Sequence, residues 1–301
     1  MVASSPTTPN PFSQQPAAPP DEQLVSRAVQ GDADALELLL RRHQAWIFNL
    51  ALRMSLDRQD AEDATQEVLM KVTTRLSSFK GDSAFRTWLY RIVKNHVLDR
   101  KRSRAEQAVH GFDCYGQYLA RASDSDLPAA YLGSPEAQLL IEEARIACLM
   151  GMLLCLNREQ RLVFVLGELF GASDAIASAI LEISREAFRQ KLARARQDLY
   201  GFMAGNCGLV SPDNPCRCAR KTRAFIQDGI VDPKRRVFTQ GEVDRVRGVA
   251  ESRSNALRSL MDAGPAALLQ ANPFLEPPDI ASRLRTLMHD GRLREMFGLE
   301  R

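Results

Sequence analysis

Apolar residues in the first third of the chain recur three and four positions apart, the spacing of amphipathic helices. The pattern predicts a helix over about 24–29, a second over 32–54, a third from about residue 60 and a fourth over 83–104. This stretch has neither the alternation of a strand nor a hairpin signal. The sequence therefore predicts a helical bundle over residues 21–104.

A second helical domain is predicted over residues 135–203. Ser134 is a helix N-cap followed by a proline at the first helical position. A short helix from about Ser173, a tight turn over 181–183 and an amphipathic helix capped by Ser184 then form a helix-turn-helix pattern. The predicted fold class is all-α.

The remaining segments differ in composition. Residues 1–20 contain six of the fifteen prolines and no charged side chain, which is typical of a disordered tail. Residues 105–134 are polar and irregular, as in a flexible linker between domains. Residues 204–301 form a C-terminal extension, with helical patterns over 242–263 and 279–297.

The sequence excludes two broad classes of protein. It has no apolar run long enough to span a membrane and no secretion signal, so we expect a cytoplasmic protein without a membrane partner. It also has no phosphate-binding glycine loop and no plausible set of catalytic residues, so we expect no enzymatic activity. The formal net charge is only +3, which argues against nucleic-acid binding unless the charges are segregated.

The charges are segregated. Residues 80–104 contain eight basic and two acidic side chains, with aromatic residues such as Phe85 and Trp88 among them. Cations beside aromatic faces suit single-stranded nucleic acid, on which bases can stack. The alternative is a solvated basic face over a core that includes these aromatic residues.

The second helix of the helix-turn-helix is rich in arginine on the face opposite its apolar stripe. A helix of this kind fits the major groove of DNA, although many charged helix faces are merely solvated. An acidic cluster over residues 57–67 suggests a separate partner for the first domain. Some of these acids could instead complement the helix dipole.

Three cysteines, Cys207, Cys216 and Cys218, lie together in the extension. They could supply thiolates to zinc, but a structural zinc site needs four ligands and the four histidines are distant in sequence. Cys148 and Cys155 have helical spacing among apolar residues and are interpreted as core thiols. A zinc site, a transient redox pair and a purely structural role all stay open, and no other cofactor is expected.

Two blocks carry a resemblance to a known family. The sequence DAEDATQEV at 60–68 and the sequence SFKGDSAFRTWLYRIVKN at 78–95 resemble bacterial RNA polymerase sigma factors of the extracytoplasmic-function (ECF) group. The resemblance covers roughly residues 21–203. It implies that the first domain is sigma region 2, the second is sigma region 4 and the segment between them is the linker.

The resemblance also implies roles for individual residues. The polymerase-docking patch corresponds to Asp63, Gln66 and Glu67. The site for the melted −10 element corresponds to Phe79, Lys80, Asp82, Ser83, Ala84, Phe85, Arg86, Trp88, Arg91, Lys94 and Asn95. The face that reads the −35 element corresponds to Arg185, Glu186, Arg189, Gln190 and Arg194.

The expected function is that of a sigma factor, which binds core RNA polymerase and directs promoter recognition and melting. The alternative is a stand-alone helix-turn-helix regulator, which would have no need of the acidic face. An anti-sigma factor is a further candidate partner. Residues 204–301 are expected to modulate activity by packing against the two DNA-binding domains.

Overall fold

The computed structural model describes residues 19–128, 131, 134–239 and 264–289, and within these residues the secondary structure is helical throughout. The helices are α1 (Asp21–Val29), α2 (Ala33–Ser55), α3 (Arg58–Arg75), α4 (Phe85–Asp99), α5 (Arg104–Ala108), α6 (Phe112–Arg121), α7 (Pro135–Leu154), α8 (Arg158–Phe164), α9 (Asp174–Leu181), α10 (Arg185–Asn206), α11 (Cys218–Gln227), α12 (Pro265–Gln270) and α13 (Ile280–His289). The all-α prediction is confirmed. The predicted helix over 242–263 and most of the predicted tail lie outside the described residues.

Polar side chains fix several helix starts by accepting the first free backbone N–H groups. Asp32 accepts a hydrogen bond from the N–H of Ala35 at 3.0 Å, and Asp57 caps α3 in the same way. Ser134 caps α7, as the sequence predicts. These local bonds explain why the helix starts are readable from sequence.

One compact unit consists of residues 9–103, 165–190 and 274–301, so far as they are described. Helices α2 and α3 form its centre, with α1 and α4 packed beside them. Helix α9 packs on α4, and α13 packs on α2 and α3. The fully buried core side chains include Leu24, Ile47, Phe48, Val68 and Phe85.

The other unit holds residues 104–164 and 191–273, so far as they are described. Helix α7 is its centre and packs with α5, α8 and α11. Glu106 is buried and pairs with Arg158 at 2.8 Å and Arg161 at 2.9 Å. This carboxylate joins α5 to α8, because a buried charge is stable only when it is paired.

The structure differs from the sequence prediction in two places. Helix α4 ends at Asp99 rather than Arg104, because Arg100 adopts an extended conformation (φ −59°, ψ 150°). The predicted linker contains α5 and α6. Helix α6 is held by tertiary packing: Tyr115 and Leu119 are buried, and the Tyr115 hydroxyl donates to the carbonyl of Cys148 at 3.1 Å.

Every helix in the described part of the chain is too short or too polar to cross a lipid bilayer.

Candidate nucleic-acid and partner-binding surfaces

The acidic patch of α3, defined here as Asp63, Gln66 and Glu67, is exposed. The three side chains share a helix face because they are three and four residues apart. Gln59 donates to the carboxylate of Asp63 at 3.1 Å, and Arg100 donates to that of Glu67 at 2.9 Å. The opposite face of α3 is buried. The patch is therefore a solvated polar surface on a rigid helix, accessible to a partner.

The loop over 79–84 and the start of α4 form an aromatic cluster with polar edges. The rings of Phe79, Phe85 and Trp88 lie with centroids 5.6 Å apart in each pair. Phe85 is fully buried, so it supports the cluster from below and cannot stack on a base. Phe79 and Trp88 are partly exposed and supply the accessible aromatic surface.

Polar residues of the same loop are open to solvent to different degrees. Lys80, Asp82 and Ala84 are exposed, and Ser83 is partly buried. Asn95, which lies further along α4, is also exposed. The loop is therefore available to a ligand, although the predicted site residues are not equally accessible.

Arg86 has a structural partner. Its guanidinium donates to the buried carboxylate of Asp21 at 3.1 Å, and the same carboxylate contacts Arg42 and His43. Burial alone would raise the pKa of Asp21, but hydrogen bonds and charge from His43, Arg42 and Arg86 outweigh it and hold that pKa well below its usual range. Asp21 thus stays ionised and fixes the start of α4 to α1.

Two other predicted DNA-binding cations contact the helix-turn-helix. Arg91 donates to the backbone carbonyl of Ala179 on α9 at 3.1 Å. Lys94 pairs with Glu182 at 2.6 Å, and this pair lowers the pKa of the glutamate. Both cations are partly buried. In this conformation, the central part of the α4 face is covered by α9.

Glu182 also shapes the turn of the helix-turn-helix. It adopts a left-handed conformation (φ 59°, ψ 42°) and ends α9. Ser184 then accepts a hydrogen bond from the N–H of Ala187 at 3.0 Å and caps α10. The sequence predicts this turn, but it gives no sign that Glu182 pairs with Lys94, because that contact joins residues 88 positions apart.

The predicted recognition face of α10 is open to solvent. Its five residues are all exposed: Arg185, Glu186, Arg189, Gln190 and Arg194. Phe188, Leu192 and Ala195 on the opposite side are buried. Helix α10 therefore has the apolar inner face and charged outer face that a recognition helix requires.

The cysteines of the extension lie closer to α7 than the sequence indicates. Cys207, Cys216 and Cys218 share a cavity with Cys148 of α7. As the described side chains stand, no group of three or more His, Cys, Asp or Glu residues has a metal-holding arrangement. Sequence reasoning missed the proximity of Cys148, since no local pattern links it to the extension.

An exposed arginine-rich helix, an aromatic and basic loop and a separate acidic patch are typical of DNA-binding transcription proteins. Residues 39–107 match the family of sigma-70 region 2. The RNA polymerase sigma-H factor of Pseudomonas aeruginosa is 33% identical over 181 residues, which cover 59% of this chain and 90% of the relative. The ECF RNA polymerase sigma-E factor of Escherichia coli K12 is 32% identical over 181 residues, which cover 59% and 91%.

Among solved structures, a complex of CnrH with the cytosolic domain of CnrY is similar, with a TM-score of 0.43 and 24% identity over 61% of this chain and 96% of that chain. The sequence matches show that the chain belongs to the RNA polymerase sigma factors of the ECF group. It functions in promoter recognition and the initiation of transcription. These matches favour the sigma-factor prediction over the stand-alone regulator.

Proposed function

We propose that three separate surfaces carry this function. The acidic patch of α3 docks on core RNA polymerase, the loop over 79–84 with α4 holds the melted −10 strand, and the outer face of α10 reads the −35 duplex. The proposed domains are residues 21–104, 135–203 and the extension over 204–301. The chain would act in the cytoplasm and catalyse no reaction itself.

The observation that carries this proposal is the exposure of two oppositely charged surfaces on different rigid helices. The acidic patch is on α3, and the arginine face is on α10. Each is backed by a buried apolar stripe, so neither is required for the core. An acidic surface attracts cationic groups of a protein partner, whereas a basic surface attracts DNA phosphates, so one surface cannot favour both. The separation of the two charges therefore supports two different partners.

At the proposed −10 site, the roles divide by exposure. Phe79 and Trp88 would stack on unpaired bases, Asn95 would hydrogen-bond to a base edge, and Lys80 would contact phosphate. Phe85 and Arg86 would act as supports. Arg91 and Lys94 would join the site only after leaving Ala179 and Glu182.

Charge reversal on the acidic patch tests the docking role. In the variant Asp63→Arg/Glu67→Arg, co-purification with core polymerase should fall at least tenfold, because two attractive contacts become repulsive. Asp113→Arg is the matched control, since it reverses an exposed acid of α6 outside the patch. Full retention of polymerase by the double variant would contradict this docking surface.

We also propose that the extension regulates the sigma factor by holding both DNA-binding regions. In one unit, the buried carboxylate of Glu143 on α7 accepts hydrogen bonds from consecutive backbone N–H groups of Val237, Phe238 and Thr239, at 2.5 to 3.1 Å. A carboxylate that accepts several backbone N–H groups is held firmly. This contact fixes the first part of the extension to region 4.

In the other unit, the last part of the extension binds α2. Asn49 and Leu275 exchange two hydrogen bonds, of 2.7 and 2.9 Å. Arg41 pairs with Asp279 at 2.8 Å, and Glu37 pairs with Arg285 at 2.5 Å. The second contact set therefore fixes the end of the extension to region 2.

Two deletions test the regulatory role separately. Removing residues 205–301 eliminates both contact sets, and removing residues 274–301 eliminates only the second set, together with the packing of α13 on α2 and α3. Promoter-specific transcription with core polymerase should change in both variants, and by less in the shorter deletion. Unchanged transcription from both would contradict regulation by the extension without affecting the proposed polymerase and DNA surfaces.

A further inference from the structure

Four cysteines from two distant stretches of the chain line one small cavity. Cys148 lies on α7, whereas Cys207, Cys216 and Cys218 lie between the end of α10 and the start of α11. The cavity has a volume of about 10 Å³, which is close to the space that one water-sized sphere occupies. Apart from Arg145 and Asn206, its other lining residues are apolar or glycine.

The loop between α10 and α11 is folded tightly enough to bring its thiols together. The carbonyl of Cys207 accepts a hydrogen bond from the side chain of Asn214 at 3.1 Å. At Gly208, a side chain would collide with the backbone carbonyl of Cys216. Cys218 then begins α11, which packs against α7. The close approach at Gly208 requires a residue without a side chain.

A buried cation beside the thiols has an unused donor. Arg145 precedes Cys148 by one helical turn, lines the same cavity and is 5% exposed. Its Nε and Nη2 atoms donate to Glu142 at 2.8 and 2.5 Å. Its Nη1 atom has no hydrogen-bond partner in the described part of the structure. A buried guanidinium N–H needs an acceptor, and the thiols are the candidates that share its cavity.

We propose that Cys148, Cys207, Cys216 and Cys218 together bind one Zn²⁺ ion as a tetrahedral tetrathiolate. Soft sulfur donors in a set of four select zinc over the hard cations Mg²⁺ and Ca²⁺. On binding, four S–H bonds break, four Zn–S bonds form and four protons pass to solvent, with no change of oxidation state. Among the described residues, the four side chains do not form a metal-holding group as they stand, so binding requires the sulfur atoms to move closer together.

The bound state also accounts for Arg145. A zinc tetrathiolate would have a net charge of −2, and the Nη1–H of Arg145, which has no partner among the described residues, would donate to one of its sulfur atoms. Hydrogen bonds of this kind orient metal ligands and stabilise their charge. Since Cys148 belongs to α7 and the other three ligands follow α10, the ion would fasten the start of the extension to the first helix of region 4.

The test measures zinc in the full-length chain, purified under reducing conditions without chelator. The expected result is one zinc per chain by elemental analysis and, after Co²⁺ substitution, the absorption of a tetrahedral thiolate site. In Cys148→Ser, zinc affinity measured against a chromophoric chelator should fall at least tenfold. Cys155→Ser is the matched control, because it changes a partly buried thiol directly after α7 and outside the cavity, and it should retain full affinity.

Cys148→Ala is the second variant, since it removes the ligand without adding a hydroxyl to a buried site. Circular dichroism of both Cys148 variants shows whether they keep the helical fold. The proposal is overturned if the wild-type chain binds no zinc or if folded Cys148 variants bind it as tightly as wild type. A mass decrease of about 2 Da, indicating a disulfide in place of the metal, would also overturn it. None of these results depends on the proposed polymerase or DNA surfaces.

Discussion

Replacing Asn49 with alanine should detach the last part of the extension from α2. Asn49 is fully buried, and its side-chain amide both donates to and accepts from the backbone of Leu275. Alanine removes both hydrogen bonds. The same substitution also removes two bonds within α2, one that Asn49 donates to Ala45 and one that it accepts from Arg53, so the effect on the extension has to be separated from the effect on the helix.

The expected weakening of docking follows from the two hydrogen bonds that are lost to Leu275. Each contributes about 0.5–1.5 kcal/mol net, and Leu275 is partly exposed, so water can replace its lost partners. We therefore expect docking of the segment to weaken by about 2 kcal/mol, which is roughly a 30-fold shift toward the undocked state. The salt bridges of Arg41 and Glu37 contribute less, because solvent and salt screen exposed pairs.

Hydrogen–deuterium exchange measures the docking equilibrium directly. Amides of residues 280–285 should exchange about 30-fold faster in Asn49→Ala, since they are protected only while the segment is docked. Asn206→Ala is the matched control: Asn206 makes the same bond to the fourth preceding carbonyl but does not touch the segment. Faster exchange confined to α2, with α13 unchanged, would refute the claim that Asn49 holds the segment.

Three further predictions concern single charged groups. Glu182→Gln should release Lys94 from its ion pair and raise the affinity for single-stranded −10 DNA two- to fivefold at low salt. Fluorescence anisotropy measures this affinity, and the difference from wild type should disappear at high salt. Glu106→Gln should lower the free energy of unfolding by about 3–5 kcal/mol in urea titrations, since Arg158 and Arg161 lose a buried anion. Burial first, then Lys71, lowers the pKa of His96 to about 4. The contribution of His96 to the free energy of unfolding is therefore complete above the ordinary pKa of histidine. It is lost as pH falls toward 4, by up to about 1.4 kcal/mol per pH unit, because the unfolded chain then binds a proton that the folded chain does not. The difference in the free energy of unfolding between wild type and His96→Gln should show this slope.

The helices were predictable because local chemistry determines them. Caps such as Asp32, Ser134 and Ser184 satisfy the first N–H groups within four residues of sequence, and the apolar stripe recurs every three to four positions. Helix α6 was not predicted, since a ten-residue helix with few apolar positions is marginal by itself. It forms because Tyr115 and Leu119 are buried by other elements, which no local pattern indicates.

The candidate surfaces were predictable only in part. Helical spacing correctly indicated that the acidic patch and the arginine face of α10 are exposed on one side of each helix. Spacing could not separate Phe85, which is fully buried, from Phe79 and Trp88, which are partly exposed. Which aromatic residue of a cluster faces solvent depends on packing among several helices, and that information is not local.

Contacts between residues far apart in sequence are the second reason why the structure differs from the sequence prediction. Cys148 and Cys218 line the same cavity because α11 packs on α7, so a cysteine count by spacing finds three of the four thiols that share it. The contact of Lys94 with Glu182 could not be predicted from the sequence for the same reason. Sequence patterns predict single helices, whereas both contacts depend on how different helices pack against one another.

The balance of charge in this sigma factor has a consequence for the order of binding. Two of the cations predicted to hold the −10 strand, Arg91 and Lys94, already have partners on α9 and in the turn after it. DNA phosphate would therefore replace an internal contact instead of meeting a free cation, and the gain in free energy is the difference between the two. The exposed acidic patch of α3 adds repulsion toward DNA for as long as it is uncovered. The isolated chain should consequently bind promoter DNA weakly. If polymerase docks on the acidic patch as proposed, it would remove one of the two causes before the promoter is engaged.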